Sequence, residues 1–166
     1  MWIHEGFTTY SETVFIECVK GYDEAIKYVN GQSRSVRNDR PVIARFGVNK
    51  EGSGDMYYKG ALMLNTIRHI INDDAKWWKL LYNYSETYKK QIIDTKTVID
   101  YFNKESGLDL TSVFNQYLTT TKIPKLVLSK TGNKLSYEWQ NVNTDFKMPV
   151  DIVINEKTIR LHPTTS

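Results

Sequence analysis

The chain has 166 residues, of which 40% are hydrophobic and 25% are charged, a composition that is typical of globular proteins and excludes a mostly disordered chain. Its net charge is only +3, and the excess lies wholly in residues 122–166, so we predict no nucleic-acid partner. One cysteine, Cys18, excludes an internal disulfide, and no apolar run approaches the roughly 20 residues of a membrane span, so no membrane span is predicted.

The first 121 residues are predicted to be helical. Apolar side chains recur there at intervals of three and four residues, which is the period of an α-helix. The helical segments are residues 5–20, 23–30, 56–72, 73–88, 94–107 and 110–118. Asp23 and Asp55 are predicted N-caps of the second and third helices. Residues 31–55 show little periodicity and predict a long irregular loop, whereas the other connections are short and predict antiparallel neighbours.

The pattern changes at Lys122, where apolar and polar residues begin to alternate at the period of a β-strand. Two hairpins are predicted, one with its turn at Gly132 and one with its turn at Asn155. The predicted fold is therefore mainly α, with a helical region over residues 1–121 followed by a small antiparallel β domain, or part of one, over residues 122–166.

The pair His4-Glu5 begins an HExxH zinc motif, but the motif is incomplete. HExxH needs a second histidine four residues after the first, so that both imidazoles lie on one helix face, and that position holds Thr8. His69 and His162 lie far away in the sequence and do not replace the missing histidine. The pair alone therefore does not predict a complete zinc site.

The wider segment from Trp2 to Glu12 resembles a block of the gluzincin aminopeptidases, the family of aminopeptidase N and leukotriene hydrolase. In that family, Trp-Leu-Asn-Glu-Gly-Phe-Ala-x-Tyr-x-Glu follows the HExxH helix. Six residues of the block are present here: Trp2, Glu5, Gly6, Phe7, Tyr10 and Glu12. The resemblance implies that Glu5 is the third protein ligand of a catalytic zinc. His4 stands where the family most often has asparagine and is interpreted as a neighbour of the ligand, not as a ligand.

A second segment, Tyr57-Tyr58-Lys59-Gly60-Ala61, resembles the Tyr-x-Lys-Gly-Ala of the same family, at about the expected distance downstream. The first tyrosine of that block hydrogen-bonds the oxyanion, so the resemblance implies a catalytic role for Tyr57. A prepositioned donor of this kind stabilises the transition state of peptide hydrolysis. Considered by itself, Tyr57 is equally typical of an aromatic residue packed on the core at a helix start.

Glu12 follows Glu5 by seven residues, or two helical turns, and therefore lies on the same helix face. It is a candidate for supporting the metal ligand through a hydrogen bond, although a solvated helix face is the favoured interpretation. The loop contains four arginines, which are interpreted as surface charge and not as substrate clamps: Arg34, Arg37, Arg40 and Arg45.

The resemblance implies a zinc-dependent parent protein that removes amino-terminal residues from peptides. Residues 1–121 would be the carboxyl-side helical half of its zincin catalytic domain. HExxH and the family's amine-binding Gly-x-Met-Glu-Asn segment are absent from the sequence. We therefore expect a fragment that does not bind zinc on its own and is inactive. Its expected partners are a peptide substrate, the missing amino-terminal half and, through the exposed truncation surface, a second copy.

Two other functions stay open on the sequence alone. The helices and the sheet could form a module that binds a peptide or a protein, derived from a peptidase that has lost catalysis. Alternatively, the chain is a structural helical scaffold whose match to the motif is accidental. An HExxH in the coding sequence before Trp2 would distinguish the peptidase from both.

Overall fold

The computed structural model describes residues 1–45 and 47–165. The two remaining positions, one in the predicted loop and one at the end of the predicted β region, lie outside the described residues. The chain divides into two compact units, Met1–Thr121 and Lys122–Ser166. The first is helical and the second is built of short strands, which confirms the predicted fold class, mainly α with a small and largely antiparallel β part.

The described part of the first unit contains six α-helices. They are α1 (Trp2–Lys20), α2 (Tyr22–Gln32), α3 (Tyr58–Ile71), α4 (Asp74–Tyr88), α5 (Thr95–Ser106) and α6 (Thr111–Thr119). The side chains of Asp73 and Asp94 accept hydrogen bonds from backbone N–H groups in the first turns of α4 and α5, as N-caps do. No helix of the described residues combines the length and the hydrophobicity that crossing a membrane requires.

Three predicted helix starts were wrong. The helix α1 begins at Trp2, three residues before the predicted start at Glu5. The helix α2 begins at Tyr22, so Asp23 lies inside its first turn and is not the N-cap. The helix α3 begins at Tyr58 and is preceded by a short 3-10 turn, Gly54–Met56. Asp55 does not cap α3, because its carboxylate accepts hydrogen bonds from backbone N–H groups of the preceding loop.

Aromatic rings form the centre of the helical unit. Phe102 of α5 is fully buried and contacts rings from α1, α4 and α6 at centroid distances of 5.7 to 6.2 Å. Trp77 lies in this core, whereas the neighbouring Trp78 ring lies 4.7 Å from the guanidinium carbon of Arg68. The core therefore holds α1, which carries Glu5, against the helices that follow it in the sequence.

The segment between α2 and α3 packs on the helical unit, although its described residues form no long regular element. A 3-10 turn, Ser33–Ser35, follows α2. Val42 is buried, and the Ile43 N–H donates to the carbonyl of Leu118 in α6 at 3.0 Å. Later in the same segment, Gly52 lies so close to Val42 that a Cβ added to it would be 1.9 Å from the Val42 carbonyl oxygen. Only glycine fits at that position.

The described residues of the second unit form five strands. They are β1 (Lys125–Thr131), β2 (Lys134–Gln140), β3 (Val150–Ile154), β4 (Lys157–Leu161) and β5 (Thr164–Thr165). The pairs β1–β2 and β3–β4 are antiparallel hairpins, with left-handed turn residues at Gly132 and Asn155. The sequence analysis did not predict β5, which pairs parallel with β2. The Trp139 and Phe146 rings, 5.7 Å apart, form the small core of this unit.

Candidate active site

Glu5 lies in the first turn of α1, and its side chain is partly buried. The start of the helix is held by Trp2, whose indole N–H donates to Thr95 Oγ1 at 2.9 Å and whose ring packs against Phe114. A carboxylate in the first turn interacts favourably with the helix dipole. Among the described residues, the Glu5 carboxylate has no hydrogen-bond or ion-pair partner. The Glu5 carboxylate therefore extends from a helix start that the contacts of Trp2 hold in place.

The glycines of the two sequence motifs touch each other. A Cβ added to Gly60 would lie 2.9 Å from the Gly6 Cα, and a Cβ added to Gly6 would lie 3.3 Å from the Gly60 Cα and from the Met56 carbonyl oxygen. The backbones of α1 and α3 therefore cross at these two residues, which larger side chains would push apart. Glu5 immediately precedes Gly6, and Tyr57 immediately follows Met56, so both predicted site residues are chain neighbours of the crossing.

Tyr57 is the N-cap residue of α3 and is 39% exposed. Its backbone N–H donates to the Gly54 carbonyl at 3.4 Å, and its own carbonyl accepts from the Ala61 N–H at 2.9 Å. Within residues 1–45 and 47–165, its hydroxyl has no hydrogen-bond partner. Tyr57 is therefore not a core residue, which was the alternative interpretation of its position at a helix start.

Lys59, the lysine of the second motif, is buried and connects two helices. Its ammonium donates at 2.9 Å to the carbonyl of Thr120, directly after α6. Burial lowers the pKa of Lys59, and the negative charge of Asp55 acts in the opposite direction. Lys59 therefore holds the first turn of α3, next to Tyr57, against the end of α6.

Residues 1–117 match the family model described as the Peptidase family M1 domain. The chain belongs to peptidase family M1. This membership confirms the resemblance carried by the segments Trp2–Glu12 and Tyr57–Ala61. No curated protein matches the chain in sequence.

The solved structures that are similar to the M1 chain include two variants of M1 zinc metallopeptidases. One is a variant of an M1 zinc metallopeptidase from Deinococcus radiodurans bound to a Tyr-Ser-Ala substrate, with 21% identity and a TM-score of 0.60. The other is a variant of a two-domain M1 zinc metallopeptidase bound to L-tryptophan, with 23% identity and a TM-score of 0.61. Each similarity covers 75% of this chain but only 28% of the other one. The M1 chain thus shares the fold of about a quarter of those proteins.

In the M1 chain, Glu12 is exposed and connects α1 with α2. The Tyr28 hydroxyl donates to the Glu12 carboxylate at 2.6 Å, and this hydrogen bond, together with partial burial, raises the pKa of Tyr28. The sequence analysis missed Tyr28, because the two residues lie 16 positions apart on different helices. Support of a metal ligand by Glu12 stays a prediction.

The two histidines of the helical unit lie on α1 and α3. His4 is exposed on α1, His69 is exposed on α3, and His162 belongs to the second unit. Across residues 1–45 and 47–165, no three histidine, cysteine, aspartate or glutamate side chains are grouped so that they could hold a metal ion. Glu5 is therefore a single candidate ligand and not a complete site in this part of the chain.

An apolar groove of about 790 Å³ runs between α1 and α4. Its lining includes Ile3, Phe7, Trp78, Leu81, Tyr84 and Ile92. The Tyr84 hydroxyl is buried without a hydrogen-bond partner in the described part of the chain, and burial raises the pKa of Tyr84 to about 12. The sequence analysis missed the groove, because its two walls come from helices that are far apart in the sequence.

A second feature that the sequence analysis missed is an ion-pair cluster centred on Arg68. This guanidinium is only 3% exposed and donates to both carboxylate oxygens of Glu17, at 2.5 and 2.8 Å, and of Asp74, at 2.9 Å each. Burial raises the pKa of the neighbouring Tyr10 to about 12, although the positive charge of Arg68 opposes this change. The cluster therefore connects α1, α3 and α4 through one side chain from each helix.

Proposed function

We propose that the chain contributes two groups to the active site of a zinc aminopeptidase, the Glu5 carboxylate as a metal ligand and the Tyr57 phenol as a catalytic group. The observation that carries the proposal is the backbone contact of Gly6 with Met56 and Gly60. Because Glu5 precedes Gly6 and Tyr57 follows Met56, this contact keeps the two residues near one crossing of α1 and α3. Membership of family M1 and the likeness to zinc metallopeptidases support the same function.

The carboxylate of Glu5 is a suitable zinc ligand. Carboxylate oxygens bind zinc at about 2.0–2.2 Å, and a catalytic zinc has three protein ligands. Glu5 would supply one of them from the first turn of α1, and two histidines of an HExxH helix elsewhere in the parent protein would supply the others. Zinc, when bound, acts as a Lewis acid towards the scissile carbonyl and lowers the pKa of a water molecule.

The phenol of Tyr57 would act on the substrate itself. Its O–H is a hydrogen-bond donor at the exposed start of α3. Attack on a peptide carbonyl builds negative charge on the carbonyl oxygen, and a donor aimed at that oxygen stabilises the transition state more than the substrate. The anchored backbone of Tyr57 limits the movement of this donor.

The further parts of this proposal concern the parent protein. Residues 1–121 would form the carboxyl-side half of the catalytic domain, and residues 122–166 would be a separate β domain or part of one. The substrate would be the amino-terminal end of a peptide, and the missing half would be the main partner. Alone, the 166-residue chain would neither hold zinc tightly nor hydrolyse peptides, and it would self-associate through apolar surface such as the groove between α1 and α4.

The metal-binding part is tested by the substitution Glu5→Gln in the full-length protein. A neutral amide is a poor zinc ligand, so we expect the purified variant to lose most of its zinc, measured by elemental analysis. Glu24→Gln, the same change at an exposed glutamate of α2, is the matched control and should keep its zinc. Retention of zinc by Glu5→Gln would contradict the ligand role, and a parent protein that never contains zinc would favour the binding module.

The catalytic part is tested by Tyr57→Phe. The variant should keep its zinc and lose about a hundredfold or more in kcat on an aminoacyl anilide, since only the donor is removed. Tyr58→Phe is the matched control, because Tyr58 is the next residue and is exposed to the same extent, 40%. A Tyr57→Phe variant with unchanged kcat would contradict the proposed role.

A further inference from the structure

We infer that Asp55 is a positioning residue for Tyr57, an inference that rests on the proposed function of Tyr57. Asp55 is only 2% exposed. Its two carboxylate oxygens accept hydrogen bonds from successive backbone amides, Oδ1 from the Arg37 N–H at 2.9 Å and Oδ2 from the Asn38 N–H at 2.7 Å. Hydrogen bonds from amides to a carboxylate are among the stronger ones in proteins, and breaking them here would leave the buried Asp55 carboxylate without these partners.

The donors that Asp55 binds belong to the chain that leaves α2. The 3-10 turn Ser33–Ser35 follows α2, and the Val36 N–H closes it by donating to the Ser33 carbonyl. Asn38 adopts a left-handed conformation with φ 49°, which asparagine tolerates better than most residues. The Asp55 carboxylate therefore joins the end of α2 to the start of α3 and closes the loop between them.

The backbone of Asp55 belongs to the turn that directly precedes Tyr57. Asp55 is the middle residue of the 3-10 turn Gly54–Met56, and its own N–H donates to Ser53 Oγ at 3.2 Å. The Met56 N–H donates to the Ser53 carbonyl, and the Tyr57 N–H donates to the Gly54 carbonyl. One hydrogen-bonded turn thus connects Asp55 to the backbone of Tyr57.

A second contact closes the same loop. The Ser53 hydroxyl donates to Asp39 Oδ1 at 2.6 Å, and the Ser53 N–H donates to the Pro41 carbonyl at 3.0 Å. Ser53 is 1% exposed, whereas its partner Asp39 is exposed, so burial protects only the Ser53 end of that hydrogen bond. Asp55 and Ser53 together anchor the turn from the loop side, while Lys59 and Gly60 anchor the first turn of α3 from the other side. Tyr57 lies between the two anchors.

Loss of positioning of this kind lowers the reaction rate more than it weakens substrate binding. A donor displaced by about 1 Å from the developing oxyanion can cost about a hundredfold in rate. The zinc ligand Glu5 lies on a different helix, so loss of the Asp55 contacts should not remove the metal. The expected signature is a lower kcat with a nearly unchanged KM and an unchanged zinc content.

The decisive experiment is a double-mutant cycle in the full-length protein with Asp55→Asn and Tyr57→Phe. Asparagine can accept only one of the two amide hydrogen bonds, because its NH₂ group faces the other N–H. We expect Asp55→Asn alone to lower kcat about tenfold or more with KM within about twofold, and to have no further effect in the Tyr57→Phe background. Asp74→Asn is the matched control, since each of its carboxylate oxygens also accepts a hydrogen bond, from Arg68, and its kcat should not change.

The outcomes separate the inference from the function on which it rests. If Tyr57→Phe does not lower kcat, the proposed role of Tyr57 is wrong and the inference fails with it. If Tyr57→Phe lowers kcat but Asp55→Asn has no effect, or has the same effect in both backgrounds, only the inference is overturned. Should Asp55→Asn not yield folded protein, Ser53→Ala replaces it in the cycle with the same expected signature, and an equal effect in both backgrounds overturns the inference.

Discussion

Gly6 and Gly60 are in backbone contact, so close that a single added Cβ on Gly60 would lie 2.9 Å from the Gly6 Cα. Each glycine belongs to one of the two motifs that carry the family resemblance. The contact explains why these motifs contain glycine inside helices, where glycine is otherwise unfavourable. It also links Glu5 and Tyr57, which are 52 positions apart in the sequence, through the backbone.

Gly60→Ala should therefore destabilise the protein. The new methyl group meets backbone, which cannot rotate away, so α1 and α3 must separate at a cost of about 1–3 kcal/mol in the free energy of unfolding. Urea denaturation measures the change. Gly31→Ala is the control, because Gly31 lies in α2 with no atom within 4 Å of an added Cβ, and it should be stabilising by up to about 1 kcal/mol. Equal behaviour of the two variants would contradict the backbone contact.

Arg68→Met should be strongly destabilising for a different reason. The change keeps an apolar stem but leaves Glu17, whose side chain is 19% exposed, without its bidentate partner. Removing one member of a buried ion pair costs about 3–5 kcal/mol, and the partial exposure of the carboxylates points to the lower end of that range. Arg34→Met, at an exposed position, should change the free energy of unfolding by less than about 0.5 kcal/mol. A small effect of Arg68→Met would show that the cluster is not needed for stability.

The pH dependence of stability should report on the same cluster. The hydrogen bonds from Arg68 hold the pKa of the Asp74 carboxyl below its ordinary value. The folded state then binds this proton less readily than the unfolded state, so the contribution is complete above the unfolded pKa of about 3.9 and is lost as the pH falls through the lower folded pKa. The urea midpoint of Asp74→Asn should fall less on acidification from pH 6 than that of the unchanged protein. Identical acid dependence would refute this role.

The sequence predicted those features that depend on neighbouring residues. The helical segments predicted over residues 73–88 and 94–107 begin at Asp73 and Asp94, which cap α4 and α5, and Gly132 and Asn155 lie in the predicted hairpin turns. Asp55 has the same local pattern but does not cap α3, because amides 17 and 18 residues away take its carboxylate. Tertiary structure decides which amides bind this carboxylate, and no local sequence pattern indicates the choice.

Local sequence patterns also predicted only part of the candidate site. The roles of Glu5 and Tyr57 came from a resemblance, and the periodicity of α1 and α3 carried no sign that the two helices cross at their glycines. A glycine inside an otherwise regular helical pattern was the available signal. The contacts of Arg68 with Glu17 and of Tyr28 with Glu12 join different helices, so no spacing along one helix could predict them.

The proposed role of Glu5 is to bind the catalytic zinc of an M1 peptidase. A crystal structure of the full-length protein, with diffraction data collected at the zinc absorption edge, tests this claim most directly. We predict an anomalous peak about 2.0–2.2 Å from a Glu5 carboxylate oxygen, with two histidines from outside these 166 residues completing the protein ligands. A zinc ion held by other residues, with the Glu5 side chain turned away from it, would contradict the account.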